Sequence, residues 1–348
     1  MSDMTHGPRF RTSGIRRRCR AAIVGALVPL TAMAALTACS SGEPAPARSG
    51  STVAAKAADK LYAVLENAAQ QERLGLAMYR ATFANKADAE ANTNIGTQLS
   101  SVAELDTTAR DFRSVYAENV VAGPTFDIGR CVGKDTYNDN FKSGEARPTT
   151  LAEANEALKT RIYKITQKLT FIPCPGLGII PNGGPDLAVS RLSDGVFPVT
   201  ISPQQAHEWA GKVRAANLFE VTDEGMVEHD GKQVRKLGLT PRGDGVNRQL
   251  FEIFYAAAEI DAVKREHPDA GWEFGFIAVN PRNTGSVGGY YLIDEQANLP
   301  IYSELYGTNP DKGAPSGSAA RNIARTKQRY YFPAQLSITP QTPLEFVE

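Results

Sequence analysis

The chain of 348 residues is poor in the residue types on which catalytic and metal sites depend. It contains four histidines, four cysteines and two tryptophans. His207-Glu208 lacks the second histidine of a zinc-binding HExxH motif, and the chain has neither a GxSxG nucleophile elbow nor a GxxxxGKS/T phosphate loop. The sequence therefore predicts no catalytic residue, no metal site and no cofactor, and it favours a protein that is not an enzyme.

Apolar runs of membrane-spanning length are also missing. A spanning helix needs about 20 apolar residues, and the longest uncharged apolar stretch is the sixteen residues Ala21–Leu36. Residues 1–20 before it hold six arginines and one acid, Asp3. A basic region, a short apolar region and then small residues are typical of a secretory signal. We expect the chain to be exported and to cross no membrane with its later residues.

The end of this signal, Leu36-Thr37-Ala38-Cys39, resembles the lipobox of bacterial lipoproteins. The resemblance implies cleavage between Ala38 and Cys39, and acylation of the Cys39 thiol by diacylglycerol and a fatty acid such as palmitate. Two or three acyl chains hold a protein at a membrane durably, whereas one chain binds marginally. We therefore expect a lipid-anchored protein on the extracytoplasmic face of the bacterial cell membrane. A chance cysteine beside an apolar helix is the alternative.

The expected division of the chain follows from this cleavage. Residues 1–38 form the signal peptide, residues 39–54 the lipidated cysteine and a flexible tether, and residues 55–348 the folded body. The body is one domain, with two subdomains dividing near residues 173–200 as an alternative. Cleavage leaves 32 basic and 37 acidic residues, a net charge of about −5. This balance disfavours nucleic acid as a partner, and no motif identifies a protein partner.

Two cysteines remain in the predicted body, Cys131 and Cys174. An even pair in an exported protein favours a disulfide. It would close a loop of about forty residues and stabilise the fold by roughly 3 to 4 kcal/mol in the chain-entropy model. Two buried free thiols are the alternative, and the absence of a CxxC pair argues against metal or redox chemistry.

Hydrophobic periodicity predicts about four helices and many short strands. The helices are expected from Ala55 to near Gly75, over Leu151–Leu169 behind a capping box at Thr150, from Pro203, and from Val246 to about Glu266. Strands are expected over residues 76–83, 95–105, 109–121, 125–137, 231–240, 272–279, 288–294, 300–306, 327–332 and 336–339. Consecutive strands of this kind form antiparallel sheets. The predicted fold is α+β, a curved, half-barrel-like antiparallel sheet packed against the helices.

Aromatic residues concentrate on the predicted strands of the C-terminal part. Trp272, Phe274 and Phe276 share one face of a strand, and Tyr291 and Ile293 follow on the next. These five residues are candidates for the lining of a cavity between sheet and helices, which would hold an apolar ligand such as a lipid. Core packing is the alternative role of the same side chains.

Two segments carry a family resemblance. GYYLIDEQANLP at Gly289–Pro300 resembles a strand-turn-strand of LolA-like lipid carriers. The helix around Trp209, followed by Leu218-Phe219 and Asp230-Gly231-Lys232, is similar to the corresponding helix and hairpin of the mycobacterial LppX- and LprG-type lipoproteins. The resemblance implies a half-barrel against helices, an apolar cavity for lipid and no catalytic residues.

The expected function is therefore a membrane-anchored envelope lipoprotein that binds or carries a lipid or glycolipid. Residues 173–186 and the cysteine pair depart from the family pattern, which leaves an envelope scaffold with a filled core as the alternative. A hydrolase would need a histidine beside a serine and a carboxylate. A transporter's solute-binding protein would need two lobes with parallel strands.

Overall fold

The computed structural model describes residues 50–106, 109, 111–119, 125–132, 135–164, 202–243, 245–257, 286–310 and 321–344. They belong to a compact unit that runs from Arg48 to Glu348. In these ranges no helix is both long and apolar enough to cross a membrane.

Five helices lie within the described ranges. They are α1 (Gly50–Ala69), α2 (Lys86–Ala91), α3 (Leu151–Thr160), α4 (Pro203–Ala216) and α5 (Val246–Ala257). The first, third, fourth and fifth were predicted from the sequence. Helix α2 was not, because six residues are too few for a helical period to show.

Helix α1 buries the stripe of residues that the sequence predicted. Each of these residues is at most 3% exposed: Ala57, Leu61, Val64, Leu65 and Ala68. The helix begins at Gly50, five residues before the predicted start, and ends at Ala69 instead of near Gly75. Four polar residues follow, Gln70 to Arg73, and the apolar period then changes from helical to two, which is the period of a strand.

The start of α3 was predicted correctly and its end was not. Thr150 accepts a hydrogen bond from the backbone N–H of Glu153, and the Glu153 side chain reaches back to the Thr150 N–H, which completes the capping box. The helix stops at Thr160, because Ile162 enters a strand that pairs with Asp139. Ile162 sits at a spacing that suits either structure. The rest of the predicted helix, residues 165–169, lies outside the described residues.

The structure confirms both the predicted start of helix α4 and the face of it that was predicted to be buried. Ser202 is the N-cap, Pro203 takes the first helical position, and the buried residues are Ala206, Trp209, Ala210 and Val213. Helix α5 starts at the predicted Val246. Its predicted continuation to Glu266 lies outside the described residues.

In the part of the chain that the structure describes, eleven strands form one antiparallel sheet. They are β1 (Arg73–Phe83), β2 (Ile95–Asp106), β3 (Asp111–Asn119), β4 (Asp127–Val132), β5 (Asp135–Asp139), β6 (Ile162–Lys164), β7 (Phe219–His229), β8 (Lys232–Pro241), β9 (Val287–Asp294), β10 (Leu299–Pro310) and β11 (Arg321–Tyr331). Their order in the sheet is β6-β5-β4-β3-β2-β1-β11-β10-β9-β8-β7. The predicted α+β fold with a large antiparallel sheet and a few helices is confirmed.

The sheet consists of two meanders joined edge to edge. Strands β1–β6 run outward from β1, and strands β7–β11 run back toward it, with α1 before the first meander and α4 before the second. Strand β1 pairs with β11 over nine residues, from Gly75 opposite Tyr331 to Phe83 opposite Ile323. The join therefore connects residues about 250 positions apart.

Two strand predictions need correction. The single strand predicted over Thr125–Tyr137 is a pair, β4 and β5, in which Arg130 lies opposite Tyr137. Residues 336–339, predicted as a strand, lie outside the sheet and cross one of its faces in irregular structure. Their backbone groups bind side chains instead of a neighbouring strand.

The Asp230-Gly231 turn was predicted correctly. Both residues have positive φ, 50° and 72°, as a two-residue type I′ hairpin requires. The turn joins β7 to β8 in register, with His229 opposite Lys232. Strand β7 forms one end of the sheet, and its register shifts at a bulge between Asp223 and Gly225.

Different elements pack on the two faces of the sheet. We call the face under α1, α4 and α5 the helix-side face; its cluster includes Leu76, Leu237 and Leu305. The other face, the outer face, carries α3 and the segment after β11, and its cluster includes Val115 and Ile128. Because side chains alternate along a strand, β1 contributes Leu76 to the first cluster and Ala77 to the second.

Candidate ligand-binding face

The predicted cavity residues that can be placed lie on the helix-side face. Tyr291 and Ile293 are on β9, and both are fully buried in the cluster beneath the helices. Trp272, Phe274 and Phe276 lie outside the described residues. Whether the five residues line one cavity therefore stays a prediction.

The other predicted sites fall mostly outside the described ranges. Ala38, Cys39 and Cys174 are not among the described residues. Cys131 lies on β4, where its backbone is paired between Ser114 and Thr136. The lipid anchor and the disulfide stay predictions.

Polar contacts fix the helices over the helix-side face. Helix α1 is tied to the β9–β10 turn, where Lys60 pairs with Glu295 and the Asn67 amide donates to the Asn298 carbonyl at 3.0 Å. It is tied to α4 by the ion pair of Asp59 with Arg214, at 3.2 Å. Such exposed contacts contribute little stability, so they set the position of α1 while apolar burial holds it.

A buried polar group interrupts the apolar helix-side face. It consists of Ser303 on β10 with Gln328 and Tyr330 on β11, each at most 4% exposed. The Ser303 and Tyr330 hydroxyls are 2.9 Å apart, and the Ser303 hydroxyl donates to the Gln328 amide oxygen at 3.1 Å. The Gln328 amide nitrogen reaches the Met78 sulfur at 3.8 Å. These hydrogen bonds offset the cost of burying the polar atoms.

Thr326 on β11 lies beside this polar group and adds one more polar side chain to it. It is fully buried, two residues before Gln328 and opposite Leu305. Its hydroxyl has no hydrogen-bond partner among the described residues. A buried hydroxyl without a partner costs about 1–3 kcal/mol, so this position is where a polar atom of a ligand would be stabilised.

The tyrosines that crowd the C-terminal strands in the sequence separate onto both faces. Tyr291 and Tyr330 stack on the helix-side face with ring centres 6.4 Å apart. Tyr290, Tyr302 and Tyr306 lie on the outer face. Period-two alternation predicts this separation once the register is known, but aromatic content alone does not assign these tyrosines to a face.

A carboxylate organises the tyrosines of the outer face. Glu304 accepts hydrogen bonds from the hydroxyls of Tyr290, at 3.0 Å, and Tyr306, at 2.7 Å. The Arg325 guanidinium lies 3.9 Å from the same carboxylate and donates to the Ala89 carbonyl of α2 at 2.6 Å. The group therefore also attaches α2 to the sheet.

Burial and this carboxylate keep the tyrosine hydroxyls protonated. Burial, followed by the charge of Glu304, raises the pKa of Tyr302 to about 12. Burial and the hydrogen bond to Glu304 raise the pKa of Tyr306 to about 12. Burial, followed by the charge of Glu304, also raises the pKa of Tyr290. Hydroxyls with raised pKa values and satisfied hydrogen bonds suit packing better than proton transfer.

Among the residues that the structure describes, no three histidine, cysteine, aspartate or glutamate side chains are grouped to hold a metal. His207 pairs with Glu66 at 2.9 Å on the surface, and the His229 ring lies tilted at 45° against that of Tyr302 with ring centres 5.0 Å apart.

Comparisons with known proteins return structural similarities alone. No family model matches the chain, and no curated protein matches its sequence significantly. Similar solved structures include the Mycobacterium tuberculosis lipoprotein LppX, at 8% identity over 81% of this chain and 98% of LppX, with a TM-score of 0.32. MucB is similar at 10% identity over 81% of this chain and a TM-score of 0.30; the match spans 61% of MucB.

A LolA superfamily protein from Nitrosomonas europaea is also similar, at 7% identity over 80% of this chain and 91% of that protein, with a TM-score of 0.19. LppX and the LolA superfamily are the two groups that the sequence resembles. The fold class rests on the strand order and packing described above, and not on these similarities.

The Thr326 hydroxyl, which has no partner within the described ranges, gives a testable consequence for stability. Thr326→Val keeps the shape and removes the hydroxyl, so we expect the free energy of unfolding to rise by about 1 kcal/mol. Thr82→Val is the matched change on β1, where the hydroxyl accepts from the Thr97 N–H at 2.8 Å, and it should lower the free energy. Urea unfolding of both variants measures this; a destabilised Thr326→Val would show that the hydroxyl is satisfied.

The raised tyrosine pKa values predict a loss of stability in alkali. Between pH 10 and 12 the unfolded chain releases protons from these hydroxyls while the folded chain retains them, so the free energy of unfolding falls as pH rises. Tyr302→Phe should make this fall shallower. Phe126→Leu changes a buried ring without a titrating group and should leave the slope unchanged. If the free energy of unfolding fell equally steeply with pH in wild type and in Tyr302→Phe, the raised pKa of Tyr302 would be contradicted.

Proposed function

We propose that this protein is an extracytoplasmic, lipid-anchored and non-enzymatic binder of an apolar ligand that carries one polar group. The ligand lies between the helix-side face and its helices. Residues 1–38 act as the signal, Cys39 is the acylated residue, and a short tether leads to α1. The Cys131–Cys174 disulfide belongs to the same proposal.

One observation carries the ligand assignment, the buried polar group within a largely apolar face. Ligand sites are largely apolar and contain a few placed polar groups that fix orientation. Here Ser303, Gln328 and Tyr330 bond one another, and the adjacent Thr326 hydroxyl has no hydrogen-bond partner in the part of the chain that the structure describes. Leu305 and Tyr291 supply apolar surface beside it.

This chemistry favours a ligand that has an acyl chain and, attached to it, an ester, an amide or a sugar. A polar atom of that attached group would bond the Thr326 hydroxyl. An alkane would leave that hydroxyl unpaired, and a strongly charged ligand would lose its hydration without a counter-ion there. Within the described residues, the polar side chains nearest Thr326 on this face, those of Ser303, Gln328 and Tyr330, are uncharged. A lipid or glycolipid fits both requirements.

An envelope scaffold with a filled core is the second candidate. The observation that favours it is the complete burial of two large side chains, Trp209 on α4 and Tyr291 on β9, in the helix-side cluster. These rings occupy volume that a ligand would otherwise use. The two candidates differ in whether a larger side chain can enter this face.

The anchor is tested by metabolic labelling with an alkyne fatty acid. We expect label on the wild-type chain and none on Cys39→Ser, because the acyl chains attach to that thiol. Cys19→Ser is the matched control, since Cys19 lies within the predicted signal and its loss should leave labelling intact. Labelled Cys39→Ser, or unlabelled Cys19→Ser with normal expression, would contradict the anchor.

The ligand is tested by filling the proposed site. A secreted, unacylated Cys39→Ser form should copurify with lipid detectable by mass spectrometry and should take up a fluorescent fatty acid. Leu305→Trp in that form should cut uptake at least about tenfold, because the indole occupies the volume beside Thr326. Met226→Trp, at a side chain that is 45% exposed on β7, should not.

The scaffold candidate gives the opposite pattern. In a filled core Leu305→Trp overpacks the face and lowers the free energy of unfolding by about 1–3 kcal/mol. No lipid would then copurify with either form. Unfolding curves and lipid analysis of the same preparations separate the two candidates.

A further inference from the structure

The segment after β11 crosses the outer face in an extended, irregular path. Two of its side chains are buried, Ile338 at 1% and Leu344 at 4% exposure, and they join the outer-face cluster with Val115 and Leu158. Thr339, Gln341 and Pro343 between them are exposed. The segment therefore rests on two apolar anchors six residues apart.

Buried side chains of the sheet bind the main chain of this segment at its first anchor. The Glu104 carboxylate, fully buried on β2, accepts the backbone N–H of Ser337 at 2.5 Å and that of Ile338 at 2.9 Å. It also accepts the hydroxyls of Ser337 at 2.7 Å and Tyr331 at 3.2 Å. Arg113 on β3 donates to the Ile338 carbonyl at 3.3 Å.

At the second anchor, a side chain of helix α3 binds the main chain of the segment in the same way. The Asn155 side chain accepts the Leu344 N–H at 2.9 Å and donates to the Leu344 carbonyl at 3.5 Å. Both anchor residues thus have their N–H and C=O bound by side chains of other elements. Contacts to the main chain accept any extended peptide, and selectivity is left to the two apolar side chains and the Ser337 hydroxyl.

We infer that the groove between α3 and strands β2 and β3 is a peptide-binding site, which this chain's own segment 337–344 fills. Its ligand is an extended segment of another protein with a serine or threonine, an apolar residue directly after it, and a second apolar residue six positions further on. This site is on the opposite face of the sheet from the proposed lipid site and does not depend on it.

The chemistry of Glu104 explains why an exchange of peptides is expected and an empty groove is not. A buried carboxylate that loses its donors is costly. An incoming peptide restores the same donors through its own backbone and hydroxyl, so replacement avoids that cost. The resident segment leads in from the exposed residues Ala334 and Gln335, so it can leave without breaking sheet pairing.

Mass action sets the conditions of the test. A tethered segment competes at an effective concentration on the order of millimolar. A free peptide is therefore expected to bind the full wild-type chain weakly and to bind strongly when the resident anchors are weakened. The probe is a fluorescein-labelled peptide of residues 335–348, added to the full-length Cys39→Ser chain and followed by anisotropy.

The Ile338→Ala/Leu344→Ala variant should bind the probe at least about tenfold more tightly than wild type. Adding Asn155→Ala to that variant should remove the gain, since the groove then loses both bonds to the second anchor. The matched control is Gln341→Ala, an exposed change in the same segment, which should bind like wild type. Equal probe affinity in wild type and the double variant would overturn the inference.

Hydrogen exchange of the wild-type chain provides a measurement that needs no variant. The amides of Ser337, Ile338 and Leu344 should exchange at least about tenfold faster than those in the middle of β2, because the segment opens without the sheet. Exchange at the rate of the sheet would overturn the inference. So would a dimer of the wild-type chain that exchanges this segment between copies, since the occupant would then be a second copy.

Discussion

The pairing of β1 with β11 is the interaction on which the whole architecture depends. It converts two separate meanders into one continuous sheet and gives both faces enough area to carry a layer of cover. The apolar stripe of helix α1 belongs to the same cluster as residues of both meanders, among them Leu76 and Ile293. Without this pairing each meander would expose an unpaired edge strand, β1 in the first and β11 in the second.

The two covered faces divide the chemistry of the molecule. On the helix-side face Ser303, Gln328 and Tyr330 form a small uncharged group, and the hydroxyl of the adjacent Thr326 has no partner within the described ranges. On the outer face the polar atoms are charged and extensively bonded: Glu304 gathers the tyrosines, and Glu104 gathers the segment after β11. A small uncharged group suits a ligand that is mainly apolar, whereas the charged groups suit the attachment of polypeptide.

Local signals made much of the fold predictable. The capping box at Thr150, the Ser202-Pro203 start and the Asp230-Gly231 turn each depend on a few neighbouring residues, and each was placed correctly. The end of α3 was missed because Ile162 fits a helical and a strand period equally, and its pairing with Asp139 decides between them. Similarly, Tyr290 and Tyr291 are adjacent in sequence, and the register of β9 assigns them to opposite faces.

The candidate sites were less predictable, because they depend on contacts between distant residues. Nothing near Glu104 in the sequence indicates that Ser337 will bind it, and nothing near Thr326 shows that its hydroxyl finds no partner among the described residues. Tyr291 and Ile293 were found through their alternation on a strand, which reports burial but not what covers them.

The order of the strands also determines how the chain can fold. Strand β1 meets β2 after a short connection, but its other neighbour, β11, lies about 240 residues further along the chain. Contacts between such distant residues fold slowly, because a long loop must close before the pairing contributes stability. Until then, one edge of β1 is open to other chains, so a chaperone that covers this edge would raise the yield of folded protein.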